Sequence, residues 1–316
     1  MQTLKAAADP TRVRLLALLT AGEATVGELQ EILDQSQPRV SRHLRLLDEA
    51  GLVTRFRDGH WVYYRLDASA LAVDFTKLII DISGAGDPTL TRDREALTRV
   101  KRIRERDAYN TTGSRPWRGT ATRPNEAGML DALEDSIGDS PLVDNRWGDV
   151  LIVGCGDGRL FRLVGEGARS IVGLDDSKRA RLLARFRAHE SGLANCTVRQ
   201  AALPALPFDD GSDDASFDLV ILKEVLGAAK QPAVILGAAC RVLNRHGHLV
   251  ILDRIQPAVR RLPERAGDGS LFENQLTTLL SEIGYRVDHR TWFPGRVMEY
   301  ALISAVPDIR RTGTND

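Results

Sequence analysis

The stretch from Asp149 to Ser177 reads DVLIVGCGDGRLFRLVGEGARSIVGLDDS. An apolar run leads into three alternate glycines, an amphipathic segment follows, and a second apolar run ends in two acids. This order predicts a strand, a tight turn, a helix and a second strand, because glycine lets the backbone approach a ligand at a helix N-terminus. An acid that ends the second strand stands where such folds bind ribose. The predicted cofactor-site residues are Gly154, Cys155, Gly156, Gly158, Asp175 and Asp176.

The segments downstream continue to alternate between apolar and amphipathic runs. Residues 217–227 read as a buried strand and turn, 233–253 as helix, turn and strand, and 272–305 as a final helix and hairpin. This alternation predicts a parallel sheet covered on both faces, hence an α/β fold from about Gly148 onward. Within it, the segment NRHGH (244–248) reads as an exposed turn.

Four positions in and near the predicted cofactor site bear on its chemistry. A dinucleotide fingerprint would need glycine where the chain has Arg159, so a nicotinamide-dependent oxidoreductase is disfavoured. Lys223 and Glu224 follow a strand at a place where side chains face ligands, and a solvated ion pair is the alternative. Lys223 is therefore a further cofactor-site candidate. Cys155 reads as a packing residue of the turn, with redox or metal sensing as the alternative.

The first seventy residues show short helices followed by a hairpin. Asp9 is a predicted N-cap with Pro10 at the first helical position, and TVGELQEIL (25–33) is a second helix. The third helix has Ser36 as its predicted N-cap. Its predicted buried stripe comprises Val40, Leu44 and Leu47.

The other face of the third helix is basic and polar, as a helix in a DNA major groove would need. The alternating segment around Asp58-Gly59 predicts a two-residue hairpin whose tip is basic, with His60 beside it. A plain surface helix is the alternative, and the basic hairpin weakens it. The candidate DNA-binding residues are Ser36, Gln37, Arg39, Ser41, Arg42, Arg45, Arg55 and Arg57.

The middle of the chain reads as a connector. Residues 83–88 are rich in turn formers, residues 91–110 are net basic and predict a solvated helix joining two domains, and residues 111–124 read as a loop with Trp117 as an anchor. The predicted organisation is a winged-helix domain over 1–83, a connector over 84–147, an α/β domain over 148–306 and a tail over 307–316.

Bulk composition is that of a globular protein, with 43% apolar and 27% charged residues. The formal net charge of +0 means that DNA binding must rest on a local basic face. The three cysteines lack metal-type spacing, and we find neither a signal-peptide run nor a membrane-length apolar stretch. We therefore expect a cytoplasmic protein without disulfide, metal centre or membrane span.

The first region resembles the ArsR-type winged helix-turn-helix regulators in residues 8–19, 37–53 and 57–66. The resemblance implies a homodimer that binds a palindromic operator in double-stranded DNA, with residues 71–82 as the dimer helix. Metal-sensing members carry paired cysteines before the recognition helix, whereas residues 23–33 here have none, so arsenic or cadmium sensing there is not expected. The predicted dimer stripe is Leu71, Phe75, Leu78 and Ile82.

From Asp149 to Ala305 the chain resembles a class I S-adenosylmethionine-dependent methyltransferase, whose antiparallel seventh strand comes from the last hairpin. The resemblance implies a Rossmann-like seven-stranded sheet that binds S-adenosylmethionine or S-adenosylhomocysteine. The three glycines match the methionine-side loop, and Asp175 matches the ribose-binding acid. However, Ile152 replaces the family's acid before the loop, and Ala202 replaces the acid that contacts the adenine amine.

Each lost polar contact weakens binding by about 1–3 kcal/mol, so the two losses together amount to roughly a hundredfold. We therefore predict a DNA-binding transcription regulator whose methyltransferase-like domain binds an adenosyl effector with weak or no catalysis. The alternative is an active methyltransferase of unknown substrate that carries a DNA-binding module. The sequence identifies no catalytic residue.

Overall fold

The computed structural model describes residues 2–67, 69–83, 87–110, 126–137, 147–208, 216–227, 229–256, 271–293 and 300–308. The predicted Trp117 anchor lies outside these residues. In chain order the elements are α1 (Gln2–Ala7), α2 (Pro10–Leu19), β1 (Ala24–Thr25), α3 (Val26–Leu33), α4 (Gln37–Glu49), β2 (Val53–Asp58), β3 (Trp61–Leu66), α5 (Ala70–Ser83), α6 (Pro88–Asn110), α7 (Glu126–Ile137), β4 (Gly148–Val153), α8 (Arg159–Val164), β5 (Ala168–Asp175), α9 (Lys178–Glu190), β6 (Cys196–Gln200), β7 (Phe217–Lys223), α10 (Pro232–Arg241), β8 (Leu243–Gln256), β9 (Leu271–Phe272), α11 (Glu273–Glu282), β10 (Tyr285–Phe293) and β11 (Tyr300–Pro307).

The chain folds into two compact units. The first comprises Met1–Ser114, Gly156–Gly165 and Ser177–Gln200, and the second comprises the remaining segments Arg115–Cys155, Glu166–Asp176 and Ala201–Asp316. Among the described residues, no helix has both the length and the apolar character that a membrane span requires.

Helices α2 and α4 of the first unit begin where the sequence predicts. The Asp9 carboxylate accepts backbone hydrogen bonds from Thr11 at 2.9 Å and Arg12 at 3.2 Å, so the predicted cap of α2 is confirmed. Ser36 stands at the N-cap of α4, but its side chain makes no capping hydrogen bond, which corrects that part of the prediction. The predicted buried stripe of α4 is confirmed by complete burial of Val40, Leu44 and Leu47.

The hairpin of β2 and β3 forms the wing. Asp58 pairs with Trp61, so the two loop residues are Gly59 and His60, one position later than the sequence suggests. Gly59 has φ +59°, and glycine tolerates this left-handed backbone at the first loop position of a tight hairpin.

The charged helix α6 is not a solvated connector, and that prediction is wrong. Its Leu97 and Val100 join the core of the first unit. Asp93 is buried and receives two hydrogen bonds from the Arg14 guanidinium, at 2.6 and 2.8 Å. Arg104 makes a similar bidentate contact with Glu28. The charges of α6 are thus partly internal, because acids and arginines of the preceding helices pair with them.

Within the second unit, the large sheet has the strand order β10-β11-β8-β7-β4-β5, and the short strand β9 pairs with β8 off this path. In the second unit β4 lies between β5 and β7 and is parallel to both. Strand β11 is antiparallel to both β8 and β10, which confirms the predicted inserted strand.

The predicted exposed turn at 244–248 is wrong, because these residues lie in β8. Burial lowers the pKa of His248 there.

The core of the second unit explains this order. Leu151, Leu222 and Ile251 lie on three adjacent strands and share one apolar cluster with Leu236 of α10 and Leu276 of α11. Because each strand carries a near-continuous apolar run, burial on both faces of a parallel sheet is the stable arrangement.

Candidate functional site

Helix α4 presents a polar face opposite its buried stripe. Of the six candidates on and before this helix, five are exposed and Ser41 is half-buried. The exposed five are Ser36, Gln37, Arg39, Arg42 and Arg45. The three apolar positions of the stripe therefore leave all three arginines in solvent, where they can reach an external polyanion.

Acids modulate this positive face at two places. Arg45 lies 3.6 Å from Glu49 on the same helix, and Arg55 of the wing lies 3.7 Å from Asp48. Arg57 is exposed on the same strand as Arg55. Because a neighbouring carboxylate cancels part of a guanidinium's field, Arg45 and Arg55 offer less attraction to phosphate than their charge alone suggests.

The glycine turn after β4 has a left-handed backbone at all three glycines, with φ of +77° at Gly154, +58° at Gly156 and +82° at Gly158. The N–H groups of Gly154 and Cys155 donate to the Leu174 carbonyl at 2.9 and 3.0 Å. A Cβ at Gly154 would overlap the carbonyl oxygen of Lys223, so that position requires glycine. Cys155 is buried, as the packing interpretation expects.

The acids at the end of β5 stand on the edge where that turn begins. Asp175 is half-buried and Asp176 is exposed. The Leu174 carbonyl that accepts from Gly154 and Cys155 immediately precedes Asp175. A carboxylate at the carboxyl end of a parallel strand beside a glycine turn is suited to ribose hydroxyls.

The two positions that depart from the family pattern fit an adenosyl group poorly. Ile152 is fully buried in β4, where it pairs with Gly173 and Ile221, so its apolar side chain belongs to the protein interior. Ala202 is exposed and supplies no polar atom to an adenine amine. Asp175 and the glycine turn therefore suit the ribose and the part of an adenosyl ligand beside the turn. Ile152 and Ala202 offer no polar side chain to the rest of the ligand.

A third group at the carboxyl edge includes one residue that sequence reasoning missed. Lys223 and Glu224 form an ion pair of 3.4 Å with half-buried side chains, and Glu224 has φ +53°. The buried Asp253 carboxylate accepts backbone hydrogen bonds from Leu226 at 2.9 Å and Gly227 at 3.1 Å. Burial is the largest influence on Asp253 and raises its pKa. In the sequence, the feature that could have indicated Asp253 is its position at the end of an apolar run.

Comparison with known proteins addresses both halves of the chain. Residues 9–55 match the model of the bacterial regulatory protein arsR family. The transcriptional repressor SdpR of Bacillus subtilis is 35% identical over 86 residues, and the match covers 27% of this chain and 94% of SdpR. The chain belongs to the arsR family of bacterial regulatory proteins.

Other relatives of this arsR-family chain match over part of their length. The arsenical resistance operon repressor of Escherichia coli is 49% identical over 67 residues, which cover 21% of this chain and 57% of that repressor. The chain thus spans little more than half of this relative.

The second half matches a different model. Residues 147–283 match a methyltransferase domain, and this range includes the glycine turn, the acids after β5 and Lys223. A solved S-adenosylmethionine-dependent methyltransferase from Aquifex aeolicus is 17% identical, covers 58% of this chain and 100% of its own, and has a TM-score of 0.40. By the family-model match alone, the arsR-family chain carries a methyltransferase domain over residues 147–283 in addition to its arsR-family region.

Proposed function

We propose that the chain is a cytoplasmic, homodimeric transcription regulator that binds operator DNA, and that its methyltransferase domain binds an adenosyl effector with little or no methyl transfer. The observation that carries the first part is the exposed polar face of α4, with Gln37, Arg39 and Arg42 opposite a fully buried apolar stripe. Such a face offers guanidinium groups for phosphates and base edges, together with an amide for adenine.

The dimer is supported by helix α5. Leu71, Leu78 and Ile82 are 71%, 56% and 73% exposed, an unusual apolar content for one solvent-facing helix surface. Phe75, which the spacing placed in the same stripe, instead packs against the core of the first unit. The proposed dimer contact therefore consists of the three exposed residues, and two-fold pairing would present two recognition helices to a palindromic operator.

The effector is S-adenosylmethionine or S-adenosylhomocysteine. The support for it is the glycine turn at Gly154 and the Asp175 carboxylate, which together suit the ribose and the adjoining part of the ligand. Without acids at Ile152 and Ala202, we expect binding about a hundredfold weaker than a complete site would give.

Isothermal titration calorimetry with S-adenosylhomocysteine tests the effector. The full chain should bind, and Asp175→Asn should lose most of the affinity because it removes the charge-assisted ribose contact. Asp288→Asn, in an exposed carboxylate of β10 that pairs with Arg286, is the matched control. Equal affinities for the two variants would argue against a nucleoside ligand at this edge.

A second candidate function is active methyl transfer, and one observation favours it. Glu224 is a non-glycine residue with φ +53°, held at the end of β7 beside Lys223. Backbone strain of this kind clusters at active sites. A radiolabelled methyl-transfer assay against cell extracts distinguishes the functions, because rapid turnover that Glu224→Gln abolishes would replace the effector proposal by the enzyme.

A further inference from the structure

The wing has two faces with different surroundings. Arg55 and Arg57 alternate with Phe56 and Asp58 along β2, so the two pairs point to opposite sides. The arginines are exposed, whereas Phe56 and Asp58 are buried together with Tyr63, which stacks on Phe56. We call Phe56, Asp58 and Tyr63 the back face of the wing.

Helix α9 and strand β6 cover this back face within the first unit. The Arg185 guanidinium donates to the Asp58 carboxylate at 2.7 Å and lies over the Tyr63 ring, 4.3 Å from its centroid. Arg181 lies 3.0 Å from the other Asp58 oxygen. From β6, the Arg199 guanidinium lies 4.9 Å from the centroid of the Phe56 ring.

Arg185 also joins the wing to the rest of the winged helix. Its Nε contacts Glu23, and its Nη2 donates to the Val198 carbonyl as well as to Asp58. Glu23 in turn accepts from the Val198 N–H at 3.3 Å. Burial alone lowers the pKa of Arg185, but Glu23, Tyr63 and Asp58 outweigh it and raise the pKa overall.

These contacts can form only when the wing lies in the position described above. Arg181, Arg185, Glu23 and Asp58 are all at least nine-tenths buried. Losing one partner of such a network leaves a buried charge without compensation. The network also hides the acid at the wing tip while leaving Arg57 and His60 exposed. A displaced wing would expose the Asp58 carboxylate, which repels phosphate.

Along the chain, helix α9 directly follows the two acids at the end of β5, which we call the ligand edge. Its N-cap is Ser177, which follows Asp175 and Asp176, and Arg181 lies one turn into the helix. We propose that α9 is a clamp on the wing, in which Arg181 and Arg185 hold Asp58, and that ligand binding at the end of β5 tightens this clamp and raises DNA affinity. The link to the ligand rests on the proposed function, because it requires an adenosyl group at Asp175.

The clamp itself is tested without ligand. Arg181→Gln removes one ion pair and leaves Arg185 on Asp58, while Asp58→Asn keeps the shape and an acceptor oxygen. Both should speed amide hydrogen exchange across residues 53–66 and weaken operator binding about fivefold or more. Arg179→Gln, on the same helix, is the matched control and should change neither property.

Comparable exchange rates and DNA affinities in all three variants would overturn the clamp. If Arg181→Gln does not fold, as judged by circular dichroism, the conservative Asp58→Asn decides the result. A loss of DNA affinity without faster exchange in residues 53–66 would also overturn it, since the effect would then not pass through the wing.

The link to the ligand is tested separately. When calorimetry shows that S-adenosylhomocysteine binds, exchange in residues 53–66 should slow in the wild type and remain unchanged in Asp58→Asn. Binding that leaves the wild-type wing unaffected overturns the link. Failure to bind contradicts the proposed effector instead, and the ligand-independent variants still decide whether the clamp exists.

Discussion

Helices α4 and α9 are both 13 residues long and rich in arginine, yet the structure uses their charges in opposite ways. In α4 the buried positions are Val40, Leu44 and Leu47, so every arginine remains outside. In α9 the buried positions are Arg181, Ala184, Arg185 and Ala188, so two arginines lie in the buried stripe itself. The comparison shows that arginine content does not separate a DNA-binding surface from an internal ion-pair network.

The residues that face each helix produce the difference. The α9 stripe is accommodated because Glu23 and Asp58 lie within contact of its guanidinium groups, and because Ala184 and Ala188 leave room for close approach. The α4 stripe is apolar and packs in the core of the first unit. Acids that are far away in sequence therefore determine which arginines are structural.

The largest expected effect comes from breaking the α9 network at its centre. Arg185→Met should lower the free energy of unfolding by about 3–5 kcal/mol, because Glu23 and Asp58 remain buried without their partner. Arg39→Met on α4 should change it by no more than about 0.5 kcal/mol, since Arg39 is exposed. Urea unfolding followed by circular dichroism measures both. Similar small losses would remove the distinction between the two helices.

Local sequence patterns predict some of these features and not others. The stripe of α4, the Asp9 cap and the inserted strand β11 follow from local periodicity, capping and segment order. The burial of α6 and α9 does not, because it depends on pairs such as Arg14–Asp93 and Arg185–Glu23, whose members are 79 and 162 residues apart. No short-range pattern carries that information.

At the candidate ligand edge, too, some features follow from local sequence and one depends on residues that are distant in the chain. The positive φ values of the glycine turn and the position of Asp175 at the end of β5 agree with a pattern that is local in the sequence. Asp253 was missed because its role depends on backbone N–H groups of Leu226 and Gly227, which come from a different loop. The loop contact exists only once β7 and β8 are adjacent.

Dimer formation should double the contribution of α4 to DNA binding, whereas it should not change the contribution of the α9 network. Leu78→Glu places a charge in the exposed stripe of α5, so it should produce monomers and weaken operator binding by about a hundredfold through lost bivalency. Lys77→Glu, at the neighbouring exposed position, is the control for added negative charge. Light scattering and fluorescence anisotropy give mass and affinity. An unchanged mass would move the dimer contact away from α5.

Within α4, the two arginines nearest the middle of the helix should differ. Arg42→Ala should weaken specific binding by about 1–3 kcal/mol if its guanidinium contacts a guanine. Arg45→Ala should have a smaller effect, because Glu49 lies 3.6 Å from its guanidinium. Anisotropy titrations on operator and scrambled DNA, at several salt concentrations, separate base contacts from phosphate contacts. An effect of Arg45→Ala that exceeds that of Arg42→Ala would contradict this order.

The last effect concerns pH and a lysine that packs against α9. The buried Lys101 ammonium donates to the Ala21 carbonyl at 2.6 Å and lies 2.7 Å from His189 Nδ1. Burial, followed by repulsion from Arg104, lowers the pKa of Lys101 to about 7 despite attraction from Glu23 and Glu28. The unfolded chain therefore binds more protons than the folded chain between pH 7 and the ordinary lysine pKa of 10.5.

Stability should consequently rise with pH across that window, with a slope that approaches about 1.4 kcal/mol per pH unit between pH 8 and 9. Lys101→Met removes the titrating group and should remove this slope, whereas Lys77→Met, at an exposed position of α5, should retain it. Urea unfolding at pH 7, 8 and 9 for the three proteins measures the difference. Parallel curves for wild type and Lys101→Met would show that Lys101 stays charged in the folded protein. The cation would then be compensated by Glu23 and Glu28.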